Sequence, residues 1–170
     1  MLTNEEDIEL LEKDLCGRLP YLVYVSVDVK NYLEWLPDDD DESQFKKKLK
    51  IYLEVSKKTV EDISKEPTTI SGFPCGGRFD TYNWDNEQFG VPVAFIKPYY
   101  RSMSSMTEEE MVEYDRLFSI SIYKLVDWLD MHMFDYRGLI KRGIAQEAPE
   151  DMYVFFDLET GGRKTYWRRS

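Results

Sequence analysis

Apolar side chains recur most regularly between residues 108 and 129, where Met111, Tyr114, Phe118, Ile122, Leu125 and Leu129 follow one another at steps of three or four. That spacing lines one stripe of an α-helix. Thr107 and Glu110 stand ahead of it at the spacing of a capping box, so the helix is expected to begin there. Ser119, Ile120, Ser121 and Ile122 are poor helix formers, and a break into two helices is expected at that point. Asp135 is placed to cap a short further helix over 136–142, with Gly143 as its stop.

The N-terminal third carries a second helical pattern. Asn4 or Thr3 can cap a helix whose first turn holds Glu5, Glu6 and Asp7, and Ile8, Leu11 and Leu15 recur at helical steps until Gly17 and Pro20. Residues 21–29 alternate instead, with Val23, Val25, Val27 and Val29 on one face, which predicts a strand. Over 43–64 both periods fit. Lys48, Lys50 and Glu54 alternate with Leu49, Ile51, Leu53 and Val55 as in a half-buried strand, while Phe45, Leu49, Leu53, Val60 and Ile63 fit a helical stripe. The strict alternation with charged polar members favours the strand.

Residues 67–90 are rich in Gly, Pro, Thr, Asp and Asn, with Phe73, Phe79, Tyr82, Trp84 and Phe89 interleaved. So long a loop is unusual in a compact domain, and short strands are expected within it. Residues 91–99 read as an edge strand or strand end, because Pro92 and Pro98 interrupt them. The end of the chain, 153–167, reads as a hairpin turning at Gly161-Gly162. Together these elements predict an α+β fold: a small, mostly antiparallel sheet packed against an N-terminal helix and a C-terminal helical pair, in a single domain over 1–170. Helices that run consecutively, with no βαβ alternation, argue against a doubly wound sheet.

Charge narrows the set of partners. The chain carries 22 basic and 33 acidic residues, a net charge of −11. Four of the basic residues, Arg163, Lys164, Arg168 and Arg169, lie in the last eight positions, leaving 18 against 33 acids in the body. Such a body repels a phosphate backbone, so direct nucleic-acid binding by a broad face is disfavoured. The acidic start resembles no secretion signal, no stretch approaches the length of a bilayer span, and Cys16 and Cys75 form no disulfide framework. The expected compartment is the cytoplasm, with no membrane partner.

Catalytic and metal chemistry find little footing. His132 is the single histidine, and flanked by Met131 and Met133 it reads as a helix-terminal or surface residue. Two cysteines and one histidine do not make a zinc site. The acidic run from Asp38 has Ser43 and Leu49 where an EF-hand needs Gly and Glu. Cys75-Gly-Gly-Arg78 and Thr160-Gly-Gly-Arg-Lys164 lack the spacing of a nucleotide cradle. One enzymatic arrangement remains. Asp28 and Lys30 at a strand end place a carboxylate and an ammonium on one side, as metal-dependent nucleases do, although no second acid precedes them on an adjacent strand. No cofactor, no catalytic residue and no metal ligand is expected.

Three motifs occur in order: Asp14-Leu-Cys-Gly-Arg-Leu-Pro20; Ile96-Lys-Pro-Tyr-Tyr-Arg-Ser-Met-Ser-Ser-Met-Thr-Glu-Glu-Glu110; and Asp127-Trp-Leu-Asp-Met-His-Met-Phe-Asp-Tyr-Arg-Gly-Leu-Ile140 leading to Glu147-Ala-Pro-Glu-Asp-Met-Tyr153. Their combination resembles a family of small proteins from gut anaerobic bacteria and their phages and mobile elements. The resemblance covers the first helix and 96–153, about half the chain; 37–90 and the tail after Tyr153 depart from the family pattern. It implies a bacterial or phage origin and carries no activity with it. Read physically, Pro98, Met103 and Thr107 form a strand end entering a capped helix, and Trp128, Phe134 and Tyr136 are packing anchors at a helix bend.

The functional expectation is therefore a non-enzymatic interaction protein whose partner is another protein. Its candidate binding residues are Phe79, Tyr82, Trp84 and Phe89, since aromatic rings dominate binding hot spots. One alternative is an acidic DNA mimic that inhibits a nucleic-acid enzyme, which needs carboxylates along one face at phosphate-like spacing. The other is a metal-dependent nuclease built on Asp28 and Lys30. The oligomeric state is left open.

Overall fold

The computed structural model describes residues 1–19, 21–36, 40–75, 78–82, 88–153, 155–156 and 163–164, and over 40–45, 71–75, 78–82, 88–89, 155–156 and 163–164 the backbone alone. The fold is α+β. The chain divides into two compact units, 1–98 and 99–170.

In the first unit, helix α1 (Glu5–Arg18) starts at Asn4, whose side-chain oxygen accepts from the Glu6 and Asp7 amides. It runs through Gly17 rather than stopping there. Its inner stripe is Leu11, Asp14, Leu15 and Arg18, all buried, with Arg18 donating to Asp14 one turn earlier at 2.9 and 3.3 Å. Strand β1 (Val23–Val27) follows, with Val23, Val25 and Val27 buried as the alternation requires. The expected strand is shorter than 21–29. Asp28 leaves it and caps helix α2 (Val29–Trp35) by accepting from the Asn31 amide.

Residues 40–65 form helices α3 (Asp40–Ser56) and α4 (Val60–Lys65), which corrects the strand expected over 43–64. Lys, Glu and Leu dominate that stretch and favour helix, with Leu49 of α3 and Ile63 of α4 buried in the core. Ile51 and Val55, the supposed inner face of a strand, are exposed. Lys57 at φ 57° ends α3, and Thr59 with Asp62 makes a reciprocal capping box for α4.

The segment 67–90 supplies strands β2 (Thr68–Cys75), β3 (Arg78–Tyr82) and β4 (Gln88–Pro92), an antiparallel meander. β1 pairs antiparallel with β2 on one side and with β5 (Ile96–Tyr100) on the other, Val23 opposite Ile70 and Val25 opposite Pro98. A 3₁₀ turn, Val93–Phe95, separates β4 from β5 and packs against α1 and α2. Tyr32 and Trp35 lie 5.5 and 5.6 Å from the Phe95 ring, closing the aromatic end of this core.

The second unit begins in the last residues of β5, where Tyr99 and Tyr100 pair in parallel with β6 (Gln146–Glu147). Helix α5 (Glu108–Ile120) carries the anticipated box: Thr107 accepts from the Glu110 amide and Glu110 accepts from the Thr107 amide. It breaks at Ser121, which is extended at φ −162°, and α6 (Ile122–Met131) follows. Leu117, Leu125, Leu129 and Phe134 form the core here, with Met103, Met106, Tyr114, Trp128 and Tyr136 packed against it.

Two chain reversals in this unit share one geometry. After α6, the Met133 amide donates to the Asp130 carbonyl and the Phe134 amide to the Leu129 carbonyl. Met133 sits at φ 57°, and Leu129 meets Phe134 in the core. That is a Schellman closure with a non-glycine residue in the left-handed position. At 139–144 the same bonds recur, Gly143 to Ile140 and Ile144 to Leu139, with Gly143 at φ 78°. The further helix expected over 136–142 is instead a series of turns. Asp135 still does the capping work, accepting from the Leu139 and Ile140 amides at 2.7 and 2.8 Å. Strands β7 (Phe155–Phe156) and β8 (Arg163–Lys164) pair antiparallel, and the expected turn at Gly161-Gly162 lies outside the described residues.

Candidate functional site

Of the four candidate binding aromatics, Trp84 lies outside the described residues. Phe79, Tyr82 and Phe89 have their backbone in β3 and β4, Phe79 opposite Val91 and Tyr82 opposite Gln88, with their side chains outside the described set. The acidic run enters α3 at Asp40, and Asp38 is outside the described residues.

The Asp28–Lys30 arrangement does not exist as a strand pair. Asp28 is the cap of α2 and Lys30 lies inside that helix, so the alternation that would put them on one side is lost. The Asp28 carboxylate accepts from the Asn31 side chain and from the Met1 ammonium, both at 2.7 Å. Among the described residues, no three His, Cys, Asp or Glu side chains are gathered to hold a metal ion. No helix among them is long and apolar enough to cross a membrane.

His132 is helix-terminal as expected but buried, not at the surface. Its Nδ1 donates to the Trp128 carbonyl at 2.8 Å, and its ring lies 4.5 Å from the Trp128 ring. Burial pushes its pKa below the ordinary value, against the upward pull of the Trp128 carbonyl and of Glu110 and Glu113. A neutral, enclosed imidazole packed on an indole serves the core.

Nearby, Arg101 is almost wholly buried. Its guanidinium donates to both oxygens of Glu110 at 2.8 Å and lies 4.2 Å from the Phe134 ring centre. Its backbone bonds to Met133 and Asp135 at 2.8 Å each. Glu110 is also the capping-box acid of α5, so one carboxylate ties the helix start to Arg101 and, through Arg101, to the turn after α6. Such a bidentate pair, with its donors matched to the carboxylate plane, is an organising element of the fold.

What the helical pair leaves uncovered is apolar. Met111, Val112, Phe118 and Ile120 on α5, with Ile122 and Tyr123 on α6, are exposed; Val112 keeps 70%, Phe118 64% and Tyr123 85% of their surface in water. The residues from Phe118 to Tyr123 straddle the break at Ser121, and Phe118 stacks on Tyr114 at 6.3 Å. The periodic stripe therefore splits: Leu125 and Leu129 enter the core, whereas Met111, Phe118 and Ile122 face solvent. Among the described side chains of the first unit, the exposed large apolar residues are Met1, Leu22, Trp35, Ile51 and Val55. Single exposed apolar residues are ordinary, but a run gathered on one helical pair is a feature of interaction surfaces.

The candidate binding residues read from the sequence lie at 79–89, where the side chains are outside the described residues. A helix that stops at Ser121 cannot keep one stripe inward on both sides of the bend. No protein-family model, no curated protein and no solved structure matches the chain.

Proposed function

We propose that this chain is a non-enzymatic interaction protein and that it engages a protein partner through the α5–α6 elbow, the junction at Ser121. The observation that carries the reading is the exposed set Met111, Val112, Phe118, Ile120, Ile122 and Tyr123 on two adjoining helices. Leaving such side chains in water forfeits the burial free energy of each, about 1.5–3 kcal/mol when fully buried, which a partner surface would recover. The exposed side chains are apolar, which favours a protein partner over a mimic of nucleic acid. Phe79, Tyr82, Trp84 and Phe89 are the second candidate set to be compared.

The test is affinity capture from a lysate of the encoding organism, with three baits: the full chain, a Phe118→Asp/Tyr123→Asp variant, and an alanine variant of the four aromatics at 79–89. A protein retained by the full chain and by the 79–89 variant but lost from the elbow variant supports the reading. Retention by the elbow variant and loss from the 79–89 variant moves the surface to the meander. Capture of nothing by a folded full chain overturns an interaction role.

A further inference from the structure

Helix α3 of the first unit carries a face opposite in charge to the rest of the chain. Residues 46–58 hold six lysines, Lys46, Lys47, Lys48, Lys50, Lys57 and Lys58, against one acid, Glu54. That stretch sums to +5, whereas the remaining 16 bases and 32 acids sum to −16. Lys47, Ile51 and Val55 follow at i, i+4 and i+8, with Lys48 beside Lys47, so one side of the helix carries them together. That side lies in water. Lys47, Lys48, Lys50 and Lys57 are exposed, and Ile51 keeps 60% and Val55 79% of its surface, while Leu49 turns inward.

The lysines differ in what already holds them. Lys46 donates to the Leu36 carbonyl at 3.0 Å, and Lys58 is engaged by Glu66. Lys47, Lys50 and Lys57 make no ion pair among the described residues. Of the acids on α4, Asp62 is bonded to Thr59 and Glu61 is exposed. A ligand of this face must therefore offer apolar atoms to Ile51 and Val55 and anionic oxygens to the lysines beside them. A nucleic-acid backbone meets only the second demand. A bilayer meets both, but it is wide and flat. Lys47 to Val55 covers about 12 Å of helix, and Asp40, Asp41 and Glu42 open the same helix one to two turns before Lys47. An anionic plane lying along α3 meets that repulsion within a Debye length of about 8–10 Å. A peptide of two or three turns covers Lys47 to Val55 alone. We infer that the outer face of α3 receives a short acidic segment of a partner protein, its aliphatic side chains seated on Ile51 and Val55 and its carboxylates on Lys47 and Lys50. The site uses residues of the first unit only, and stands or falls independently of the elbow.

The experiment uses the full chain and two fluorescent synthetic peptides that share one Leu/Ile pattern, one flanked by Glu and the other by Lys. Binding is followed by anisotropy, and circular dichroism confirms that each variant is folded. The Glu peptide should bind saturably, at least about tenfold tighter than the Lys peptide, and weaken about tenfold between about 50 and 500 mM salt. Lys47→Glu/Lys50→Glu should abolish its binding, and Ile51→Ser/Val55→Ser should weaken it at least about fivefold. Lys13→Glu/Lys141→Glu makes the same change in net charge at two other exposed positions and should alter affinity less than about twofold. Phe118→Asp/Tyr123→Asp should bind the Glu peptide as the unaltered chain does. Equal binding of the two peptides, no saturable binding, or equal losses from the two charge-reversal variants overturns the inference. So does capture of phosphatidylglycerol vesicles or duplex DNA that is lost with Lys47→Glu/Lys50→Glu and is not displaced by the Glu peptide. Loss of peptide binding in the Phe118→Asp/Tyr123→Asp variant overturns it too, and moves the peptide to the elbow.

Discussion

The two ends of α5 invert the usual partition of side chains. At its start, a glutamate and an arginine are buried, while at its finish a phenylalanine and an isoleucine face water. The buried carboxylate is held at three points: Glu110 meets the Arg101 guanidinium at two and the Thr107 amide at a third. Of the exposed rings, Phe118 stacks on Tyr114, which itself packs against the core. A charged pair taken out of water persists only when its geometry answers the desolvation cost, and it then specifies one arrangement. An apolar run in water adds no stability of its own. The first end thus organises the unit, and the second is available for recognition.

The largest expected effect breaks the ordered end. Arg101→Met leaves Glu110 buried without its cation and should lower stability by about 3–5 kcal/mol in urea unfolding followed by near-ultraviolet circular dichroism. A loss below about 1 kcal/mol would show that the pair is dispensable. Next is a pH dependence. His132 has a folded pKa below its ordinary 6.5, so the unfolded chain binds the proton first. Stability should be full above about pH 6.5 and decline as pH falls through that value toward the folded pKa. His132→Gln should flatten this stretch of the curve. The lowered carboxylates Glu113, held by Arg116, and Asp62, held by Thr59, lose their contribution only below their ordinary values of 4.5 and 3.8, a separate and more acidic step.

Smaller changes sharpen the contrast. Thr107→Ala removes one arm of the capping box and should cost about 1 kcal/mol. Gly143→Ala should cost about 1 kcal/mol as well, because φ is +78° with nothing within 4 Å of the added methyl. A larger loss there, by thermal melting, would point to a clash and not to backbone strain. Phe118→Ser is expected to change stability by no more than about 0.5 kcal/mol, the smallest effect of the set, while removing partner binding. If that variant instead unfolds the second unit, Phe118 belongs to the core and the comparison between the two ends collapses.

Much of the architecture was legible in the sequence where local chemistry and burial agree. The Thr107–Glu110 box, the break at Ser121 and the valine alternation of β1 each follow from residues a few positions apart. Residues 43–64 were not legible, since Lys-Leu-Lys-Ile-Tyr-Leu-Glu-Val satisfies the period of a strand and of a helix alike. The choice fell to which apolar side chains the core would take, which were Leu49 and Ile63, while Ile51 and Val55 stay exposed. Asp28 was misread for a related reason: a capping aspartate and a strand-end aspartate look the same until the next element is known.

By itself, then, the chain determined its fold class, its acidic character and the starts of α1 and α5, because those depend on side-chain type, net charge and neighbours within one turn. Tertiary structure decided which residues of the α5–α6 stripe are covered, and that Arg101 and Glu110 meet nine positions apart in a buried pair. It also decided that the histidine serves the core. Burial depends on which elements come to lie against a side chain, and periodicity names a face without naming what covers it.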